Sequence, residues 1–381
     1  MDFYLSWYTV PLLFGFVQGI IYISLLLYRG IKEDRLADKL LAGVLFLLVA
    51  RISQWMLAYA GWYDSHNWES TFMFYFPFNL MILLGPCFYF YFRSLTNTDF
   101  YFRRKDWLHF LPGVILFGTF VISFFVDVVA LHWIASQEFP QHFGTKGIMA
   151  NFQQEYVLTF FQPLIMLSVL IYSVLTIREY TAYKKYLYNN FSATEQLEFG
   201  WIRFVLATFV IAFGLNLLNY LTSFFIEFDY GNWWNSFVIM ALTIYLISIP
   251  GFAFAHQVPA LKFEPNQKGG EVKSIPPVLP EVEQWKQKLH RLMAKEKPYL
   301  DPDLTLQQLS EKLRTNTSIL SKAINSGFGQ NFNNYINEYR VNAMREKMVL
   351  PKYQNYTLVS VAFECGFNSK ATFNRAFKKF T

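Results

Sequence analysis

Cysteine is almost missing: two residues in 381, Cys87 in an apolar run and Cys365 in a polar tail. Lying in different regions, they suggest no disulfide framework, and neither redox chemistry nor a zinc site is expected. Histidine is nearly as sparse, and His66, His109, His132, His142, His256 and His290 are scattered without metal-ligand spacing. No phosphate-binding loop or nucleophile elbow occurs. We therefore expect no enzyme, no catalytic residue, no metal and no cofactor. Charge is also short, at 16% of residues against 54% hydrophobic and 20% aromatic, an apolar share well above that of ordinary globular chains.

The shortage of charge is uneven. From Lys262 onward nineteen Lys and Arg face eleven Asp and Glu, a net of +8 that leaves −2 for everything before it. The mean hydropathy of +0.22 thus averages an apolar first two thirds with a polar last third. A basic domain points to nucleic acid or to an anionic membrane surface, and charge alone does not choose between them.

What is present in abundance is long apolar runs. Stretches able to cross ~30 Å of hydrocarbon, about 20 residues each, occur near 4–28, 40–62, 71–93, 107–131, 154–177, 200–225 and 233–256, which predicts a seven-helix transmembrane bundle over 1–256. A soluble helical core is a poor alternative, because soluble helices keep a polar face and these are apolar all round. Lys and Arg accumulate on the cytoplasmic side of a membrane. Arg29, Lys32, Arg35 and Lys39 follow the first span, Arg93, Arg103, Arg104 and Lys105 the third, and Arg178, Lys184 and Lys185 the fifth, whereas the alternate loops carry only Lys146. The amino end is therefore expected outside and the carboxyl end in the cytoplasm. Trp7, Trp62, Trp68, Trp107, Trp133, Trp201, Trp233 and Trp234 mark span ends, as Trp does at headgroup level. Asp2 and the lack of a cationic leader make the first span an uncleaved anchor.

Arg51 falls about 11 residues into the second span, where an unpaired charge costs several kcal/mol, so it must face protein or water. By helical rise, Asn79 and Gln162 come to similar depth, Asn216 slightly further out, and Asp127 near the outer surface. A hydrogen bond from Arg51 to Asn79 or Gln162 is thus preferred to an ion pair with Asp127. The polar layer of Arg51, Asn79, Gln162 and Asn216 either joins helices or forms an intramembrane site for a signal ligand. Pro77, Gly85-Pro86, Pro163 and Pro250-Gly251 either kink spans three, five and seven or reflect ordinary membrane packing.

Pro, paired Gly and few apolar runs make 257–280 a solvated linker. Val282, Trp285, Leu289, Leu292 and Met293 then line one face of an amphipathic coupling helix over 281–298. That face packs either on the next domain or on the same helix of a second subunit, in a homodimer.

Residues 299–381 hold two helix-turn-helix units. In the second, Leu358, Val361 and Ala362 form the buried face of a short helix, Gly366 takes the left-handed turn, Phe367 plugs the core and Asn368 is the expected cap. The helix Ser369–Lys379 buries Ala371 or Thr372, Phe373, Ala376 and Phe377. Ser369, Lys370, Thr372, Asn374, Arg375 and Lys378 are its candidate DNA contacts, since Lys and Arg read guanine, Asn adenine, and Ser or Thr either base or phosphate. In the first unit, Leu306, Leu309 and Leu313 are the buried face, Asn316 the cap, and Thr317, Ser318, Ser321 and Lys322 point to DNA. There Arg314 stands where the second unit has its turn Gly, a substitution costing ~1 kcal/mol if φ is positive. Phe332 to Leu350 repeats apolar residues at helical spacing, a helix of ~28 Å able to set two reading helices about one DNA turn apart.

Tyr299 to Thr381 resembles the DNA-binding domain of AraC/XylS-type regulators, "FNNYINEYRVNAMREKM" being similar to its linker helix and "VAFECGFNSKATFNRAFKKF" to its signature. The family usually continues past "FKK" with a Gly-x-x-Pro segment, absent here, so either the chain is shortened or its last helix is less supported. The resemblance implies an all-α fold, base contacts from both recognition helices, and a structural or phosphate-facing role for Arg340. A subset of such regulators carries membrane helices ahead of the reader. The reading that follows is a bacterial one-component transcription regulator in the cytoplasmic membrane, its partners being double-stranded DNA, the lipid bilayer and a signal ligand or membrane partner of unknown identity. The alternative is a transporter or channel with a DNA-binding regulatory tail.

Overall fold

The computed structural model describes residues 4–64, 67–97, 99–138, 146–194, 200–227, 229–254 and 279–381. Over these the chain is helical, as expected, and its only β-type pairing among the described residues is an isolated bridge between Phe191 and Thr305. The linker expected over 257–280 lies almost wholly outside the described residues. The chain divides into two compact units, Met1–Arg178 with Trp201–Lys262, and Glu179–Gly200 with Phe263–Thr381.

The first unit contains α1 (Val10–Lys32), α2 (Leu36–Tyr59), α3 (Trp68–Tyr75), α4 (Leu84–Thr96), α5 (Leu111–Phe124) and α6 (Ile148–Phe152). The first part of α7 (Leu158–Asn190), then α8 (Gly200–Thr222) and α9 (Tyr230–Phe254), complete it. Among the described residues, six continuous helical stretches are long and apolar enough to cross a membrane: Val10–Lys32, Leu36–Tyr59, Asp106–Ile134, Ile148–Asn190, Gly200–Thr222 and Gly231–Phe254. The span expected near 71–93 is apolar but broken. Its α3 stops at Phe76, whose extended backbone (ψ 132°) is what a following proline, here Pro77, imposes. Met81–Leu83 form a 3₁₀ turn before α4 begins, with Pro86 in the first helical turn where a missing N–H costs nothing.

Close approach of backbones holds α1 in place. Gly15 and Gly19, four residues apart, form one small stripe. A Cβ added at Gly15 would lie 2.6 Å from Ala241 Cβ on α9, and one at Gly19 would lie 2.2 Å from Val49 Cγ2 on α2. At one end of these helices the Arg29 guanidinium donates to both carboxylate oxygens of the fully buried Asp38, at 2.6 and 2.9 Å, and to the carbonyl of Phe252 at 2.7 Å. Arg29, counted in the sequence as a topology charge, thus also ties three helices together.

The second unit contains the end of α7 and then α10 (Leu279–Lys295), α11 (Leu306–Lys312), α12 (Thr317–Phe328), α13 (Phe332–Met348), α14 (Leu358–Phe363) and α15 (Lys370–Phe380). Two apolar clusters share α13. One joins Leu289 and Met293 of α10 to Leu306, Leu309, Leu320, Ile324 and the first half of α13. The other joins Val341 and Met344 to Val361, Ala362, Phe367, Phe373 and Ala376. The apolar face of α10 is thus spent on its own chain, with Leu289 and Met293 fully buried. Val282 and Trp285 of the same face stay half-buried.

Candidate nucleic-acid interface

Five N-caps set where these helices start. Thr305 and Gln308 form a reciprocal capping box at α11, and Asn316 Oδ1 accepts the Ile319 N–H at 2.8 Å, starting α12 at Thr317. Asn331 and Thr357 cap α13 and α14 in the same way. At α15 the cap is Ser369, whose Oγ accepts the Thr372 N–H at 3.1 Å from an extended backbone. Asn368, the expected cap, sits one residue too early and its Oδ1 has no partner.

The turns follow from glycine and its absence. Gly366 has φ +91°, and a Cβ there would meet the Tyr299 carbonyl oxygen at 2.3 Å. Arg314, at the matching turn of the first unit, adopts φ +51° without being glycine.

These constraints sort the candidate contacts. On α15, Lys370, Asn374, Arg375 and Lys378 are exposed on one surface while Phe373 and Ala376 are buried. Thr372, expected both as core and as contact, is buried at 1% exposure and cannot reach a base. Ser369 has its hydroxyl turned to the helix backbone by the capping bond, and stays half-buried. On α12, Thr317 and Ser318 are exposed, whereas Ser321 and Lys322 are half-buried, Ser321 Oγ accepting from Asn325. At the helix starts, then, Thr317 and Ser318 of α12 and Lys370 of α15 are the candidates presented outward.

Inside α13 lies a polar stripe that the sequence reading treated only in part. Asn333, Asn337 and Arg340, spaced four and three residues apart, are all buried. Arg340 is fully buried, and its guanidinium donates to the carbonyls of Tyr299 (2.8 Å) and Asp301 (2.7 Å), to Asn337 Oδ1 (3.3 Å) and to Ser192 Oγ (3.0 Å). Burial pushes its pKa down to about 10, against the raising influence of Asp301 and Asp303. With the Pro302 carbonyl at 3.5 Å, Arg340 has five protein acceptors; such a guanidinium stays charged at neutral pH, and one sealed in this way is out of reach of phosphate. Of the two roles implied for Arg340, the structural one holds.

The polar layer of the first unit also converges. Arg51, Asn79, Gln162 and Asn216 line one cavity of about 100 Å³, and Arg51 and Gln162 also line a neighbouring one of about 410 Å³. The preferred partners of Arg51 are corrected: Nη1 bonds Gln54 Oε1, and the guanidinium lies 5.3 Å from the Phe237 ring centroid and 5.8 Å from that of Trp55. Gln54 is three residues on along the same helix, so that bond needs no match between two helices. Asn79 is 6% exposed with its Oδ1 unpaired, and Asn216 Nδ2 donates to Ala212 O at 2.9 Å. Asp127 is spent elsewhere, its carboxylate accepting from the amides of Met149 and Ala150 and from the Tyr75 hydroxyl.

Residues 309–381 match the family model described as a helix-turn-helix domain. The chain carries an AraC-type helix-turn-helix domain. It is 34% identical over 79 residues to uncharacterized HTH-type transcriptional regulators of Staphylococcus aureus strains COL, MSSA476 and N315, an overlap of 21% of this chain and 10% of each relative. The chain thus spans about a tenth of the length of these relatives. No solved structure matches it. Within the AraC-type domain, the residues that sequence reasoning missed are Asn333 and Asn337, and outside the matched stretch Tyr188, Ser192 and Thr194. For the first two the signal was present, since polar residues at helical spacing on an otherwise apolar face mark a buried network.

Proposed function

We propose that the chain is a membrane-anchored transcription regulator, whose AraC-type domain binds duplex DNA in the cytoplasm through α12 and α15 under control of a signal received by the apolar helices. The observation that carries the reading is the exposed set Lys370, Asn374, Arg375 and Lys378 on a capped helix that follows a glycine turn. A cation, an amide and a guanidinium at such positions suit phosphate and base edges. Anchoring is supported by six long apolar helices, whose outward faces carry Phe14, Phe160, Ile211 and Leu218. In water that surface is penalised by ~25 cal/mol per Å², and in hydrocarbon it is not. The Lys and Arg that follow the apolar stretches near 4–28, 71–93 and 154–177 support an inside carboxyl end, with the broken 71–93 stretch counted as a crossing.

For the signal, the cavity lined by Arg51, Asn79, Gln162 and Asn216 is the site we propose. A half-buried guanidinium and an unpaired buried amide oxygen in a largely apolar wall suit a small ligand with an acidic group and an apolar body. The test is footprinting of the full chain in phospholipid nanodiscs on a duplex that the full chain enriches from a random pool. Protection of two successive major grooves on one face is expected, weakened uniformly by salt. Arg375→Ala should cost about 1–3 kcal/mol, selectively at one base step. Binding that ignores sequence would reject the reading.

A further inference from the structure

The end of α7 and the residues after it form part of the second unit, and they do so through specific bonds. Phe191 pairs with Thr305 in the isolated bridge, and the Ser192 N–H donates to the Leu304 carbonyl at 3.1 Å. Asn333 Nδ2 donates to the carbonyls of Phe191 (3.2 Å) and Ser192 (2.7 Å), and Arg340 Nη2 to Ser192 Oγ (3.0 Å). Ser192 and Thr194 have no exposure at all. Beyond them the contact reaches a DNA-reading residue: Arg375 Nη2 donates to Thr194 Oγ1 at 3.4 Å, and its guanidinium lies 5.6 Å from the Tyr188 ring centroid.

We infer that residues 188–194 are an intramolecular ligand of the DNA-reading domain, docked so that a duplex engaging Arg375 must displace them or pull that side chain away. The chemistry favours a reversible dock. Its anchors are a few hydrogen bonds, from Asn333, from Arg340 and to the Leu304 carbonyl, and Arg340 keeps four other acceptors when Ser192 leaves. Two ligands that need the same guanidinium oppose each other's binding, and the opposition is reciprocal. The dock also has a route to the apolar helices. α7 is continuous from Leu158 to Asn190, so the helix that carries Gln162 to the cavity ends two residues before Ser192. A change that shifts α7 therefore acts on the dock, and through it on Arg375. This rests on the DNA-binding reading and adds to it the segment that regulates it.

The test uses the full chain in phospholipid nanodiscs and a duplex which that chain enriches from a random pool. With Tyr188→Ala and Thr194→Ala combined, the dissociation constant should fall roughly tenfold, within the range of ordinary coupling between sites. In the unaltered protein, adding the duplex should accelerate hydrogen exchange of the Ser192 amide, since the dock opens as DNA binds. The exchange measurement decides even where the double variant folds poorly. Duplex that binds while Ser192 keeps its protection overturns the inference and leaves DNA reading intact. Failure to enrich any duplex rejects DNA reading and the inference with it.

Discussion

Two turns that do the same job differ by one residue, and the difference has opposite consequences for substitution. Gly366 combines positive φ with a backbone wall 2.3 Å from where a Cβ would stand, so Gly366→Ala adds both strain and a clash. A loss of ~3 kcal/mol is expected in thermal unfolding of the full chain. Arg314 already bears the strain at φ +51°, and Arg314→Gly should raise stability by about 1 kcal/mol, read in the same way. That conformation was legible in the sequence by alignment of one unit with the other. The cap at α15 was not: "FNSK" offers two capping residues side by side, and only backbone geometry selects Ser369 over Asn368. Thr372 shows the same limit: it lies at the edge of the face that buries Phe373 and Ala376, and only the packed structure assigns it to the core.

Among elements, α13 connects the two apolar clusters, and its buried polar stripe fixes them to the residues around Tyr299 and Asp301. Arg340→Lys leaves one ammonium where a fork met several acceptors. Such a loss should lower stability by ~2–4 kcal/mol. Because Arg340 touches no phosphate, the salt dependence of DNA binding should keep its slope. A slope reduced by about one would instead assign it a phosphate contact. The broken third span shows how composition and continuity part company. Its hydropathy counts it as membrane-spanning, but Pro77 forces Phe76 out of helical backbone and divides the apolar run into α3 and α4. The prolines were visible in the sequence. What a window average lacks is the direction of the chain after the break, and with it the placement of Asn79 at the cavity wall.

For the whole molecule, charge and hydropathy separate an apolar first part from a basic last part, and the stretch around residue 190 does not follow that division. Glu179–Gly200 reads in the sequence as part of the membrane region, yet it clusters with the DNA-reading unit. Its partners, Asn333 and Arg340, lie about 140 residues away in the chain, a separation no local pattern records. The proposed regulation requires that the apolar helices sit in the membrane and that the helix-turn-helix domain lie on the side of the chromosome. The measurement that tests this most directly is the location of Thr381 in intact cells, read with paired carboxyl-terminal fusions, one active only in the cytoplasm and one only after export. The account predicts signal from the cytoplasmic reporter alone, at full length and in the membrane fraction. Activity of the exported reporter would place the helix-turn-helix domain away from DNA and contradict the account at its root.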